Sequence, residues 1–200
     1  MFDNTAKTVG EDGEVCDNLN VYSEGTQKVL GLGDTQDIST LGLNKGDVFM
    51  IELDFTGKKA MTVTKQFDAE TLTFTKNNDT YFEPDRPYWY GTEAVPGADG
   101  GTGGWRNDKW QLLKGYVYDL KGGVIGISYT LADANEGIIN ERYNVASLKV
   151  TVFDKNKDKE QLYAGTLNDI ITYKNAGDKC DLVLIGGNGS SAKQLFVYKR

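Results

Sequence analysis

Histidine is absent from the 200 residues, and this absence removes the most chemistry. It excludes Ser-His-Asp and Cys-His catalysis, histidine general bases and ordinary zinc sites. Cysteine is nearly absent too. Cys16 and Cys180 are the only 2, far apart in the chain. They read as two free thiols in a reducing compartment, with one disulfide closing a very long loop as the alternative. Two cysteines cannot build a structural zinc site. Paired-carboxylate hydrolysis stays formally open because acids are plentiful, but no pair is singled out. The chain therefore reads as a non-enzyme with no cofactor and no metal.

Positive charge is also in short supply, with 22 bases against 29 acids for a net charge of −7. A net negative field repels phosphate backbones, and no Lys/Arg cluster offsets it, so nucleic acid is not an expected partner. No apolar run approaches the ~18 residues that cross a bilayer, so no membrane is expected. The opening Met-Phe-Asp-Asn-Thr has no basic or apolar leader, so the expectation is synthesis in a cytoplasm without export. Proline occurs 3 times, all between Pro84 and Pro96.

What is present is strand and turn material. Glycine is abundant, and Thr, Val, Ile, Tyr and Phe recur in short runs, which is the composition of an all-β chain. Val48 to Phe55 reads as a strand with a nearly continuous apolar stretch. Ala60 to Phe67 and Thr71 to Thr75 alternate with period two around an Asp68-Ala69-Glu70 loop. Gly115 to Leu120 and Val124 to Tyr129 flank Lys121-Gly122-Gly123 as a second hairpin. Leu148 to Phe153 is a strand, and Leu182 to Ile185 and Leu195 to Tyr198 flank a Gly/Ser turn. Helical candidates, around 132–141 and 166–174, are short.

An internal repeat organises these pieces. One copy runs through Asn20-Val21-Tyr22, Gly33, Asp37-Ile38-Ser39-Thr40, Gly46-Asp47, an apolar strand, Gly57, Ala60 and Lys65. The other runs through Thr151-Val152-Phe153, Gly165, Asp169-Ile170-Ile171-Thr172, Gly177-Asp178, an apolar strand, Gly189, Ala192 and Lys199. The Asp can cap a short helical turn, the Ile can plug a barrel end, and Gly-Asp supplies the positive-φ turn into the next strand. The expected organisation is two related small β-barrel or sandwich units, 1–79 and 112–200, joined by a long aromatic and Gly-rich loop over 80–111. Hairpin 61–75 resembles hairpin 115–129, so the strand order is expected to be permuted between the copies.

The joining segment carries the binding candidates. Tyr81, Tyr88, Trp89, Tyr90, Trp105 and Trp110 lie in it, beside a run of glycines from Gly97 to Gly104. Aromatics give large contact area at low entropy cost and also stack on sugars. The segment can fold back on its own barrel, meet a protein partner, or present a carbohydrate face. Its Gly run lacks the Gly-Lys-Ser/Thr ending of a phosphate loop. Asp154 to Glu160 resembles the start of a calcium loop, but Lys159 stands where glycine is needed and Gly165 where a bidentate glutamate is needed. It reads as a solvated hairpin tip.

The stretch from Lys149-Val150-Thr151-Val152-Phe153-Asp154 through Gly165-Thr166-Leu167 and Asp169-Ile170 to Leu195-Phe196-Val197-Tyr198-Lys199 resembles segments of virion structural proteins of tailed bacteriophages, the crAss-like phages in particular. It is also similar to small barrels of bacterial surface-layer proteins. The resemblance implies a non-catalytic β-barrel protein assembled in the host cytoplasm and clamped into a virion. An auxiliary or decorating capsid protein is favoured over a head–tail or tail part. The implied partners are other virion proteins, either the major capsid protein or copies of itself. A carbohydrate-binding or adhesion module using the aromatic segment, with a glycan as partner, is the alternative.

Overall fold

The computed structural model describes residues 1–9, 15–33, 37–75, 88–90, 110–188 and 191–200. The fold is nearly all β, with only short helical turns among the described residues. The first sheet contains β1 (Phe2–Val9), β2 (Val15–Ser23), β3 (Thr26–Leu32), β4 (Val48–Leu53), β5 (Lys59–Asp68) and β6 (Thr73–Phe74). Its order is β1-β2-β3-β5-β4, with β6 added on β5. All neighbours are antiparallel except β3 and β5, which run parallel over Gly31–Lys59 and Leu32–Ala60. The path closes on itself where Phe2 N–H donates to the Asp47 carbonyl and Gly46 N–H donates to the Phe2 carbonyl, at 2.8 and 2.9 Å. Gly46 makes that closure sterically feasible. Its φ is +93°, and a Cβ there would stand 2.8 Å from ring carbons of Phe153.

The second sheet contains β7 (Tyr88–Tyr90), β8 (Trp110–Lys121), β9 (Val124–Ser128), β10 (Glu141–Asn144), β11 (Val150–Phe153), β12 (Leu162–Gly165), β13 (Leu182–Asn188) and β14 (Ser191–Tyr198). Its order is β10-β9-β8-β13-β14-β11-β12, with β7 on β8. Again one seam is parallel, β11 against β14. β10 and β11 follow each other in the chain, separated by a short turn. They are two halves of one bent third strand, so this path also wraps round. With β10/β11 counted as one strand, both units have the order 1-2-3-5-4, with strand 3 parallel to strand 5 and strand 4 returning to strand 1. This is the Greek-key order of a five-stranded OB-type barrel. The order is not permuted: 61–75 holds β5 and β6, whereas 115–129 holds the first hairpin of its barrel.

The repeat is real, but its register differs from the sequence expectation. Gly46 and Gly177 both take positive φ, and Ile170 is buried in the second barrel. Asp37 accepts from Ser39 N–H ahead of its 3₁₀ turn. Asp169 instead closes a turn (Leu167–Asp169) and reaches back to Thr166 N–H at 2.7 Å. The counterpart of Asp47 is Asp181, not Asp178. Each starts strand 4 fully buried, and each pairs with the lysine eighteen positions on, Lys65 or Lys199, at 2.7 and 2.8 Å. Asp154 to Glu160 lies in the connection between the paired strands β11 and β12, as a hairpin tip should. Cys16 is exposed, Cys180 is buried, and both are free.

Among the described residues three apolar clusters form the core. Leu19, Val21, Leu30 and Ala60 fill the first barrel. Val117, Ile125, Ile127, Val152, Val183 and Val197 are among those filling the second. The third spans both. Phe67, Phe74 and Val48 pack with Phe153, Leu184, Phe196 and Tyr198. Phe67 and Tyr198 ring centres are 5.2 Å apart, and the Tyr198 hydroxyl donates to the Gly46 carbonyl at 2.8 Å. Each large side chain buried there contributes roughly 1.5–3 kcal/mol, so the two barrels pack as one body.

Candidate functional site

The aromatic candidates divide between described and undescribed residues. Tyr88, Trp89 and Tyr90 form β7, which pairs with β8 in the register Tyr88–Leu113, Trp89–Leu112 and Tyr90–Gln111. Trp110 is the first residue of β8, opposite Asn188. Part of the expected loop is therefore sheet. Tyr81 and Trp105 lie outside the described residues, as does the Gly run.

Among the described residues an open feature lies on the first barrel where it faces β8 and β14. A cavity of about 520 Å³ opens there, lined by Val21, Leu30, Phe49, Ile51, Leu112 and Phe196 among others. The topology explains it. β4 pairs with β5 on one side only, and among the described residues no strand pairs along its other edge. β1 begins at Phe2, which exchanges hydrogen bonds with Gly46 and Asp47 just ahead of β4. An apolar strand edge of this kind invites pairing or coverage. Glu24, Lys28 and Glu52 are the cavity's charged lining residues. Thr62 Oγ1 donates to Glu52 at 2.8 Å and holds it in place. Burial first, and then Asp3 and Glu160, raise the Tyr22 phenol above its ordinary value.

The β4–β5 turn sits at the lip, since Leu53 and Gly57 both line the cavity. Phe55, read from sequence as the end of a core strand, lies in this turn and is fully exposed at 102%. Leu53, two residues earlier, and Met61 of β5 are also exposed. The turn is rigidly built. Asp54 accepts from Thr56 Oγ1 at 2.8 Å and from the N–H groups of Lys58 and Lys59 at 3.1 Å. Those hydrogen bonds, Thr56 foremost, lower the Asp54 carboxyl. Sequence patterning missed this feature because an apolar residue after a strand looks like more strand. The signal was available in Asp54-Phe55-Thr56-Gly57, a turn composition with a phenylalanine inside it.

The titratable clusters lie elsewhere and are structural. Lys65 sits between Asp47 and Asp68, 2.7 Å from each. Burial pushes the Asp68 carboxyl up, but Lys65 and the N–H groups of Thr71 and Glu70 outweigh it and hold it at about 2. At Asp181 burial wins, and its carboxyl is raised despite Ile171 N–H and Lys199. Asp119 is held by Arg142 and Lys174. Among the described residues no group of three or more His, Cys, Asp or Glu is placed to hold a metal. What the open site can do chemically is bury apolar surface and pair backbone. Comparison with family models, with curated proteins and with solved structures gives no match for this chain.

Proposed function

We propose that the protein is a non-enzymatic structural component of a tailed-phage virion, an auxiliary or decorating capsid protein clamped to neighbouring subunits. The observation that carries this reading is uncovered apolar surface concentrated on one barrel. Val9, Val15, Val29, Leu53, Phe55 and Met61 are all exposed on the first, against Ile138 and Ile171 on the second. Leu53 lines the cavity and Phe55 lies in the turn at its lip, and exposed apolar side chains at a cavity mark an interaction site. The resemblance of the segment 149–199 to virion proteins supplies the setting. Quantitative mass spectrometry of purified, salt-washed particles tests it. The expected result is this polypeptide at a fixed copy number per particle, and its absence from the particles overturns the reading. A head–tail or tail position is resolved by labelling the protein in those particles.

One observation favours a second reading, a carbohydrate-binding module. The five-stranded barrel order found twice here hosts oligosaccharide sites in other proteins, and Tyr88-Trp89-Tyr90 adds an aromatic strand beside one barrel. A glycan array is the test. Binding abolished by Trp89→Ala supports this reading, and an empty array removes it.

A further inference from the structure

We propose that residues 172–180 form a flap that lifts off the second barrel as a unit while the barrel stays folded, and that this flap gates the buried Cys180 thiol. The flap is closed at its neck. Ile171 N–H donates to Asp181 Oδ2 at 2.8 Å, and Asp181 N–H donates to the Ile171 carbonyl at 2.9 Å. Those bonds, with Ile170 buried next to them, fix the two ends side by side. Between the ends the chain makes a helical turn, Tyr173–Ala176, and a 3₁₀ turn, Gly177–Lys179. Its backbone bonds are internal. Asn175 and Ala176 N–H donate to the Thr172 carbonyl, and Cys180 N–H donates to the Gly177 carbonyl. Among the described residues no backbone hydrogen bond joins 172–180 to the strands, and none of the three apolar clusters takes a residue from it.

What holds the flap down is side-chain contact, most of it with β8. Lys174 Nζ lies 3.2 Å from Asp119 Oδ2 and 5.3 Å from the Tyr118 ring centre. The Tyr173 ring stacks on Tyr118, with centres 6.0 Å apart and planes 10° from parallel, and its hydroxyl donates to Asn135 Oδ1 at 3.2 Å. Arg200 Nη1 donates to the Asp178 carbonyl at 3.0 Å. The Lys174 side chain is 56% exposed, so its ion pair is screened and weak. Thr172 and Cys180, at the two ends, are the buried residues of the segment. A segment that bonds to itself, lacks core residues and is held by exposed contacts opens locally, well below the free energy of global unfolding.

The thiol lies under this flap. Cys180 is fully buried, and the charged and titratable groups around it are Tyr173 and Asp178 of the flap, with Asp181 and Arg200 outside it. Burial, with Asp181 and Asp178, raises the thiol above its ordinary value although Arg200 opposes the rise. The closed flap therefore keeps the sulfur inert, and the open flap exposes it as an ordinary nucleophile. This inference stands on the second barrel alone and does not depend on the virion reading.

Thiol labelling by dithionitrobenzoate of the full chain carrying Cys16→Ser, which leaves Cys180 as the one thiol, is the test. The expected result is labelling in native buffer at a rate that urea below the unfolding transition does not change, the mark of local opening. Lys174→Ala is expected to speed it about fivefold by removing the Asp119 and Tyr118 contacts, with an unchanged urea midpoint because Lys174 lies outside the core. Labelling that occurs only with the global unfolding reported by the Val183–Ile185 amides, or a Lys174→Ala rate equal to that of the parent chain, would overturn the proposal.

Discussion

The two barrels share one topology and differ in how completely they are zipped. In the second, strand 4 pairs with strand 1 over seven positions, Leu182–Tyr116 to Asn188–Trp110, and the parallel seam runs over four, Val150–Leu195 to Phe153–Tyr198. In the first, strand 4 meets strand 1 through Phe2 alone, and the parallel seam has two positions. The difference lies in one edge: β8 covers that edge of β13 in the second barrel, whereas among the described residues the corresponding edge of β4 is unpaired, with a cavity and the exposed Phe55 close by. The buried ion pairs differ in the same instructive way. Asp47 has both oxygens engaged, by Ala69 N–H at 2.9 Å on one side and by Asn44 N–H and Lys65, each at 2.7 Å, on the other. Asp181 uses one oxygen for Ile171 N–H and Lys199, and among the described residues its other oxygen has no hydrogen-bond partner.

These differences can be broken one at a time. The largest effect is expected from Phe67→Ala, which empties the centre of the shared core between Phe74 and Tyr198. It should cost about 3–5 kcal/mol in urea denaturation. Asp47→Ala should cost about 3 kcal/mol, because it removes one of the two carboxylates that hold Lys65 and leaves the buried Ala69 N–H without its acceptor. Tyr198→Phe should cost about 2 kcal/mol, leaving the Gly46 carbonyl without its buried donor. Asp181→Asn should cost only about 1 kcal/mol, since it also removes a charged oxygen that no group satisfies. If Asp181→Asn matched Asp47→Ala, the distinction between the two pairs would fail.

The smallest effect concerns pH. The folded Asp68 carboxyl, at about 2, lies below its ordinary 3.8. Its ionised form therefore stabilises the fold above pH 4, and that contribution is lost as pH falls from about 4 towards 2. Asp181 works in the opposite sense: its raised carboxyl means that protonation relieves a cost. Asp68→Asn should remove about 1 kcal/mol at pH 7, after allowance for solvent screening, and flatten the acid limb of the stability profile. An unchanged acid limb would sink that assignment.

Much of the fold was legible in the sequence where local signals were strong. The hairpins at β5–β6 and β8–β9 follow from strand-forming runs around Asp68-Ala69-Glu70 and Gly122-Gly123. The strands of β1 and β3 were not legible, because they are mostly exposed and read as polar: Asp-Asn-Thr-Ala-Lys-Thr in one, Thr-Gln-Lys in the other. What makes them strands is closure of the barrel, a long-range effect. The repeat was visible but misregistered. Gly-Asp is a conspicuous pair, whereas the equal Asp–Lys spacing that the structure uses is silent until the pairing is known. The open cavity was illegible for the same reason. It is a gap in the hydrogen-bonding path, and no residue type encodes a gap. Phe55 was hidden by its continuity with an apolar strand.

The account rests most heavily on two like barrels folding as one body around Phe67, Phe153 and Tyr198. Native-state hydrogen exchange at increasing urea tests that directly. The amides of Leu19–Val21 in the first barrel and Val183–Ile185 in the second should merge into one opening isotherm with a common free energy. Exchange of the first barrel at markedly lower free energy, with the second still protected, would contradict the shared core and make the two barrels independent.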